Sequence, residues 1–384
     1  MKEINRQLAV IRRGAYYISA VLEGNTLDNV ILEEADEQAL RVGDIYVGRV
    51  DHVVKNIQAA FVEVQKHKMC YLPLKECVPQ KVTAGQEFAV QVKKAAVKAK
   101  QAVVTRNLEF AGKYAVVTVL NRAKAISANI KEETVRARLR RLLAEYEDAP
   151  FGIILRTNCQ EAEEEQIREE CEALLRQAET IVERSKSRVR FTKVYRSEME
   201  VVKYIRSRKS GAFDRIITDE REIYEKLRNE STCPDETVVF YEDHSYPLDK
   251  LLGISAKLEK AGKKHVWLKS GGSLVIEPTE ALTVIDVNTE KAIGGKRNSE
   301  TTFFRINVEA AKEAARQIRI RNLSGIILID FIGMKEREHE EALLSELRRE
   351  FEKDPVRTAV VDMTKLGLVE ITRMKVRKPL HEML

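Results

Sequence analysis

At 384 residues the chain is long enough for two or three compact units, each with a substantial core. Hydrophobic residues make up 44% and charged residues 33%, and no apolar run approaches the ~18 residues that span a bilayer, which excludes a membrane-spanning chain. The 66 basic residues against 60 acidic ones leave a net charge of +6, which favours an anionic partner but says little until the charges are located.

The N-terminal stretch MKEINRQLAVIRRGAYYISAVLEG has no signal-peptide core, because Asn5, Arg6, Gln7, Arg12 and Arg13 interrupt it, and a cytoplasmic chain is predicted. Cys70, Cys77, Cys159, Cys171 and Cys233 form an odd set with no CxxC pair, so neither a disulfide framework nor a thiolate zinc site is expected. Residues 44 to 75 carry short β-branched runs at Ile45 to Val50, Ala59 to Val64 and Cys70 to Leu74. Two more follow at Phe88 to Val92 and Ala102 to Thr105. Five short strands without a helical period predict a small antiparallel barrel of the OB type, a fold that commonly binds single-stranded nucleic acid.

A strand is predicted at Tyr114 to Val119, then a surface helix in KEETVRARLRRLLAEYED with Val135, Leu139, Leu142 and Leu143 on one face. Phe151 to Leu155 reads as a strand, and Glu161 to Arg184 as a charged helix with Ile167, Cys171, Leu174, Leu175 and Ala178 on its apolar face. Lys186 to Lys209 concentrates basic residues around Tyr195 and Tyr204. Two readings are open for it: a nucleic-acid contact surface, or a solvated face. Arg215 to Asp219, a helix from Glu220 to Asn229 and Val238 to Asp243 alternate as in an α/β unit. His244 and Trp267 are read as packing or surface residues.

After the Gly271-Gly272 turn, the run Leu282 to Ile285 ends in Asp286, a helix covers Ser299 to about Arg321, and the run Ile326 to Ile329 ends in Asp330. A helix from Lys335 to Phe351 and a strand near Thr358 to Asp362 complete the pattern. If the two apolar strands are neighbours joined by a helical crossover, Asp286 and Asp330 lie side by side, and paired carboxylates repel unless a cation sits between them. Mg2+ suits such a pair, because it takes oxygen ligands from one or two carboxylates and from substrate phosphate. Asn288 falls on the same face, and Lys296 and Arg297 could meet a phosphate backbone. That assembly suits metal-assisted phosphodiester hydrolysis. The bland alternative is that each aspartate caps a turn or the following helix.

Several segments in fixed order resemble the ribonuclease E/G family of endoribonucleases. AAFVEVQKHKMCYLPLKE resembles its S1-type RNA-binding barrel, and EFAGKY and FGIILRT its 5′-sensor region. SGGSLVIEPTEALTVIDVNTEKAIGG and GIILIDFIGM resemble its catalytic core, and LGLVEITRMKVRKPL the end of that region. The resemblance implies a multi-subdomain α+β and α/β fold. Residues 1–37 and 202–262 would form a ribonuclease-H-like subdomain, 38–110 an inserted S1-type OB barrel, 111–201 the 5′-sensor subdomain and 263–384 a DNase-I-like catalytic subdomain. It implies a Mg2+-dependent endoribonuclease of single-stranded RNA, stimulated by a 5′-monophosphate and acting in RNA processing and decay (rRNA maturation, mRNA turnover). The family's magnesium-binding aspartates fall on Asp286 and Asp330 and its orienting asparagine on Asn288. Its barrel aromatics fall on Phe61 and Tyr71, where Phe is usual, and its barrel lysine on Lys100. Its 5′-phosphate pocket falls on Arg156 and Thr157 with backbone support from Gly112 and Val116; taken alone, an Arg-Thr pair after a strand is more often part of a surface salt bridge.

The family's cysteine-rich zinc-link segment is not found after RKPLHEML, so a homo-oligomer without that link is expected, and in extent the chain is closer to the ribonuclease G branch. Three rivals stand against this reading: a non-catalytic RNA-binding protein keeping the barrel and basic surface, a metal-dependent DNA nuclease, and a structural interaction protein. Intact Asp286, Asn288 and Asp330 count against the first, and the last leaves the paired aspartates unexplained.

Overall fold

A computed structural model describes residues 5–77, 81–96, 100–208, 211–229, 237–289 and 299–383. The chain divides into two compact units, residues 38–198 forming one and residues 1–37 with 199–384 the other.

Three strands, β1 (Arg6–Arg13), β2 (Tyr16–Glu23) and β3 (Thr26–Glu34), open the chain as an antiparallel meander. Two-residue connections join them, and Gly14 and Gly24 supply the left-handed conformation (φ 58° and 55°) that such tight hairpins need.

In the 38–198 unit, β4 (Ile45–Val54), β5 (Ala59–Gln65), β6 (Lys68–Pro73), β7 (Glu87–Lys94) and β8 (Val103–Thr105) pair in the order β4-β5-β6-β8-β7. Strand β7 returns to β4, so five strands close into a barrel, consistent with the OB fold read from the sequence. Alternation along these strands turns Tyr46, Val62, Cys70, Leu72, Val90 and Val104 into the barrel core.

Beyond the barrel, β9 (Glu109–Ala111), β10 (Ala115–Thr118), β11 (Lys124–Ile126) and β12 (Gly152–Leu155) form a sheet in the order β11-β12-β10-β9. Two helices share its core, α1 (Glu133–Ala144) through Leu139, Leu142 and Leu143, and α2 (Glu164–Lys186) through Ile167, Cys171, Leu174 and Ala178. These are the faces that the helical spacing predicts.

The basic stretch is divided between the two units. Lys193 lies on β13 (Lys193–Tyr195), an antiparallel addition to β4, and its ammonium sits 3.9 Å from Asp44; from residue 199 onward the chain belongs to the other unit. Tyr195 is half-buried edge-on to Phe110, and Tyr204 is 5% exposed in a core with Phe213. The Tyr204 ring presents no open face for stacking on a base, because its apolar body fills that core. Lys209 lies outside the described residues.

The second unit resumes with α3 (Glu200–Arg206), β14 (Arg215–Thr218), α4 (Arg221–Arg228) and β15 (Val238–Phe240). Strands β14 and β15 add in parallel beside β1, giving the mixed sheet β15-β14-β1-β2-β3. Helices α5 (Leu248–Leu252) and α6 (Ile254–Gly262) lead to a second sheet. Its elements are β16 (His265–Trp267), β17 (Ser273–Pro278), β18 (Leu282–Asn288), α7 (Ser299–Arg321), β19 (Gly325–Asp330), α8 (Arg337–Phe351), β20 (Thr358–Met363) and β21 (Leu368–Arg373). The strand order is β16-β17-β18-β19-β21-β20, with β18 and β19 parallel across the α7 crossover.

Helix α7 lays Ile306, Ala310, Ala311, Ala314, Ala315 and Ile318, each 0% exposed, into the core beneath this sheet. The alanines let the helix approach closely, and each buried isoleucine contributes about 1.5–3 kcal/mol. Two details differ from the sequence reading. Strand β18 runs on past its apolar run to Asn288, so Asp286 sits within the strand, and β21 inserts between β19 and β20. No helix among the described residues is long and apolar enough to cross a membrane. Cys70, Cys77, Cys159 and Cys171 are free and buried, and Cys233 lies outside the described residues.

Candidate functional site

The second sheet has two unlike faces. Thr283, Ile285 and Val287 of β18 and Ile327 and Ile329 of β19 are buried, so the alternate residues Asp286, Asn288 and Asp330 emerge together on the other face. Asp286 is the register partner of Asp330, which sets the two aspartates side by side on strands about 4.8 Å apart. Asn288 donates from Nδ2 to Asp286 Oδ2 at 2.7 Å. Among the described residues neither carboxylate has a lysine or arginine partner, and Asp330 makes no hydrogen bond. The turn or helix-cap reading is thereby not what the structure shows. Two adjacent carboxylates without a counter-charge form the kind of pair that a hard divalent cation stabilises. No three His, Cys, Asp or Glu side chains among the described residues come together as a metal cluster, so a cation here would draw its remaining ligands from water or substrate oxygens. Lys296 and Arg297 lie outside the described residues.

Helix α7 braces the chain leaving this pair. Asn307, fully buried, donates from Nδ2 to Ile332 O at 2.7 Å and accepts Ile332 N–H at Oδ1 at 3.0 Å, two residues after Asp330. Glu300 accepts the N–H groups of Lys335 and Glu336 at 2.8 and 3.2 Å, and these backbone donors hold its carboxyl below the usual carboxylate range.

On the barrel, Phe61 and Tyr71 are register partners on β5 and β6, with ring centroids 6.0 Å apart in an edge-on arrangement. Phe61 also stacks on His52, with centroids 4.7 Å apart, so three half-exposed or exposed rings share one face across three strands. Lys100 is exposed, near the point where Tyr71 N–H donates to Ala102 O.

The Arg156-Thr157 pair follows β12. The Arg156 guanidinium donates to Gly112 O, and Thr157 Oγ1 lies 3.1 Å from Ser127 Oγ. Gly112 N–H is already given to Ala115 O, so Gly112 orients the arginine rather than offering a donor of its own. Val116 lies mid-sheet on β10 between Ala111 and Ile154, where its backbone belongs to the ladder. The next three N–H groups, of Lys113, Tyr114 and Ala115, converge on the Glu170 carboxylate at 2.9, 2.6 and 2.9 Å.

The sequence profile of the family described as "Ribonuclease E/G family" matches residues 109–376. The chain is 33% identical to a protein named Ribonuclease G from Salmonella typhimurium (strain SL1344), over 95% of this chain and 79% of that protein. It is equally identical, with the same coverage, to Ribonuclease G from Escherichia coli (strain K12). It is 31% identical to a protein named Ribonuclease E from Synechocystis sp. (strain ATCC 27184 / PCC 6803 / Kazusa), over 96% of this chain and 57% of that protein. The chain belongs to the ribonuclease E/G family.

For this family member, sequence reading found the two aspartates and Asn288 because apolar runs advertise the strands that carry them. It missed His52, Ser127, Glu170, Glu300 and Asn307. None stands in a motif; His52 takes its place through Phe61 on the neighbouring strand, and the other four through partners far along the chain, as Glu170 does across 55 to 57 residues.

Proposed function

We propose that this protein is a Mg2+-dependent endoribonuclease hydrolysing phosphodiester bonds of single-stranded RNA, stimulated by a 5′-monophosphate and acting in RNA processing and decay. The in-register pair Asp286 and Asp330, without a counter-charge and beside Asn288, carries the reading, in a family whose similar members are named ribonucleases. Asp286 and Asp330 would hold the cation, and Asn288, its amide nitrogen given to Asp286, keeps Oδ1 as an acceptor that orients the attacking water. Bound Mg2+ supplies charge neutralisation on the phosphate and a more acidic water. The water oxygen bonds to phosphorus as the P–O3′ bond breaks, leaving a 5′-phosphate and a 3′-hydroxyl.

The strand order β15-β14-β1-β2-β3 with its parallel β14 and β15 supports a ribonuclease-H-like scaffold, and the two-faced sheet on α7 and α8 supports a DNase-I-like one. On the barrel, His52, Phe61 and Tyr71 supply flat surfaces for a base. At the sensor, Arg156 and Thr157, joined by Ser127, would grip a terminal phosphate through charge-assisted and hydroxyl hydrogen bonds.

The test is cleavage of a 5′-monophosphorylated single-stranded RNA with Mg2+ and with chelator, beside Asp286→Asn and Asp330→Asn and a DNA strand of equal sequence. Cutting of RNA alone that needs Mg2+ and disappears in both variants, with RNA binding kept, is expected. Binding without cutting by the parent protein would leave a non-catalytic RNA-binding protein, and normal cutting by either variant would remove the site assignment.

A further inference from the structure

Strand β16 is an edge of the second sheet, and its three residues alternate as exposed His265, buried Val266 and exposed Trp267. Val266 enters the helix-side core, so His265 and Trp267 stand on the opposite face, the one carrying the aspartates. Register fixes where. Trp267 is partnered with Ser273, which is partnered with Asn288, while His265 leads through Val275 to Asp286. The indole is thus two strands from Asn288, about 10 Å at the backbone.

Trp267 is the chain's single tryptophan and is 62% exposed, a large aromatic surface left in water. The frame that presents it is fixed. Leu268 N–H donates to Gly272 O at 2.9 Å, and Glu309 accepts Lys269 and Ser270 N–H at 2.6 and 3.1 Å. A Cβ on Gly272 would stand 2.8 Å from Asn288 O, so this connection also lies tight against the strand end bearing Asn288. Lysines flank the strand in sequence, Lys263 and Lys264 before it and Lys269 after it. Lys264 pairs with Glu277, while Lys263 and Lys269 make no ion pair among the described residues. An aromatic ring among cations is the composition that holds single-stranded nucleic acid, the ring taking a base and the cations its phosphates.

We infer that Trp267 is a stacking platform for a base of single-stranded RNA near the phosphate that a cation at Asp286 and Asp330 would meet. The inference rests on the endoribonuclease reading above and adds to it a subsite on the edge strand. Stacking is tolerant of base identity, so the platform sets the register of the strand rather than its sequence.

Because no other tryptophan is present, intrinsic fluorescence reports this position alone. In the Asp330→Asn protein with Mg2+, titration with a short oligoribonucleotide should quench and shift the emission saturably, and an abasic strand of equal phosphate content should do so far less. In otherwise unaltered protein, Trp267→Ala should raise KM roughly ten-fold with kcat retained, about one base-stacking contribution, and Trp267→Phe should restore most of the loss. Unchanged emission while the anisotropy of an end-labelled RNA shows binding, or an unchanged KM in Trp267→Ala, would overturn the platform and leave the nuclease reading standing. Emission that changes with protein concentration alone would overturn it in favour of a contact between copies. Absence of both RNA binding and cutting would overturn both readings together.

Discussion

At residue 170 a glutamate carboxylate fills the point where the N–H groups of Lys113, Tyr114 and Ala115 converge, an arrangement of backbone donors that binds anions generally. A Cβ on Gly112 would stand 2.3 Å from Glu170 Oε1, so only glycine leaves room for this carboxylate while its own carbonyl accepts from Arg156. The consequence is a turn held from within, with Arg156 positioned by that turn. Arg156→Ala should bring cleavage of 5′-monophosphorylated RNA down to the rate on 5′-hydroxyl RNA, a loss of about ten-fold or more given the worth of a charged hydrogen bond. Glu170→Ala should cost about 1–3 kcal/mol in denaturant unfolding and diminish the same discrimination. Equal slowing on both substrates in Arg156→Ala would remove the sensor assignment.

Among the elements, α7 does more than connect two strands. Its small apolar face sets its depth under the sheet, and Asn307 on that buried face holds both backbone groups of Ile332 just beyond Asp330. Asn307→Ala would leave a buried N–H and C=O unmatched, a cost of about 2–3 kcal/mol. A lower denaturant midpoint together with a fall in kcat per folded molecule, at unchanged RNA affinity, is expected, because the end of β19 loses its brace. Full kcat in the folded variant would show that the brace serves stability only. The faces of α1 and α2 were readable from periodicity alone, since one stripe of each carries nearly all its large apolar residues. Strand β21 was not, because its place between β19 and β20 depends on pairing that its own six residues do not encode.

For the molecule as a whole, binding of a polyanion is a sum over scattered cations, since the stretch from Lys186 to Lys209 is divided between two units and partly spent on internal partners. RNA affinity should fall with salt along a slope of about −0.7 per phosphate neutralised. A flat salt response, measured by anisotropy of a labelled strand, would exclude backbone phosphates as the main source of affinity.

The residues themselves determined the barrel strands, the helix faces and the carboxylate pair, because burial writes a period of two or of 3.6 into any element with one covered face. They also carried the family resemblance. Tertiary structure alone decided which groups face one another. It buried Tyr204, which composition had left as a stacking candidate, and chose the exposed one of the two places, packing or surface, that the sequence left open for Trp267. It gave Glu170 to the Gly112 turn and withdrew Val116 into a ladder. The physical reason is that hydrogen bonds and charge pairs act over a few ångströms, and the distances that matter here are fixed by strand register and helix docking between segments tens of residues apart.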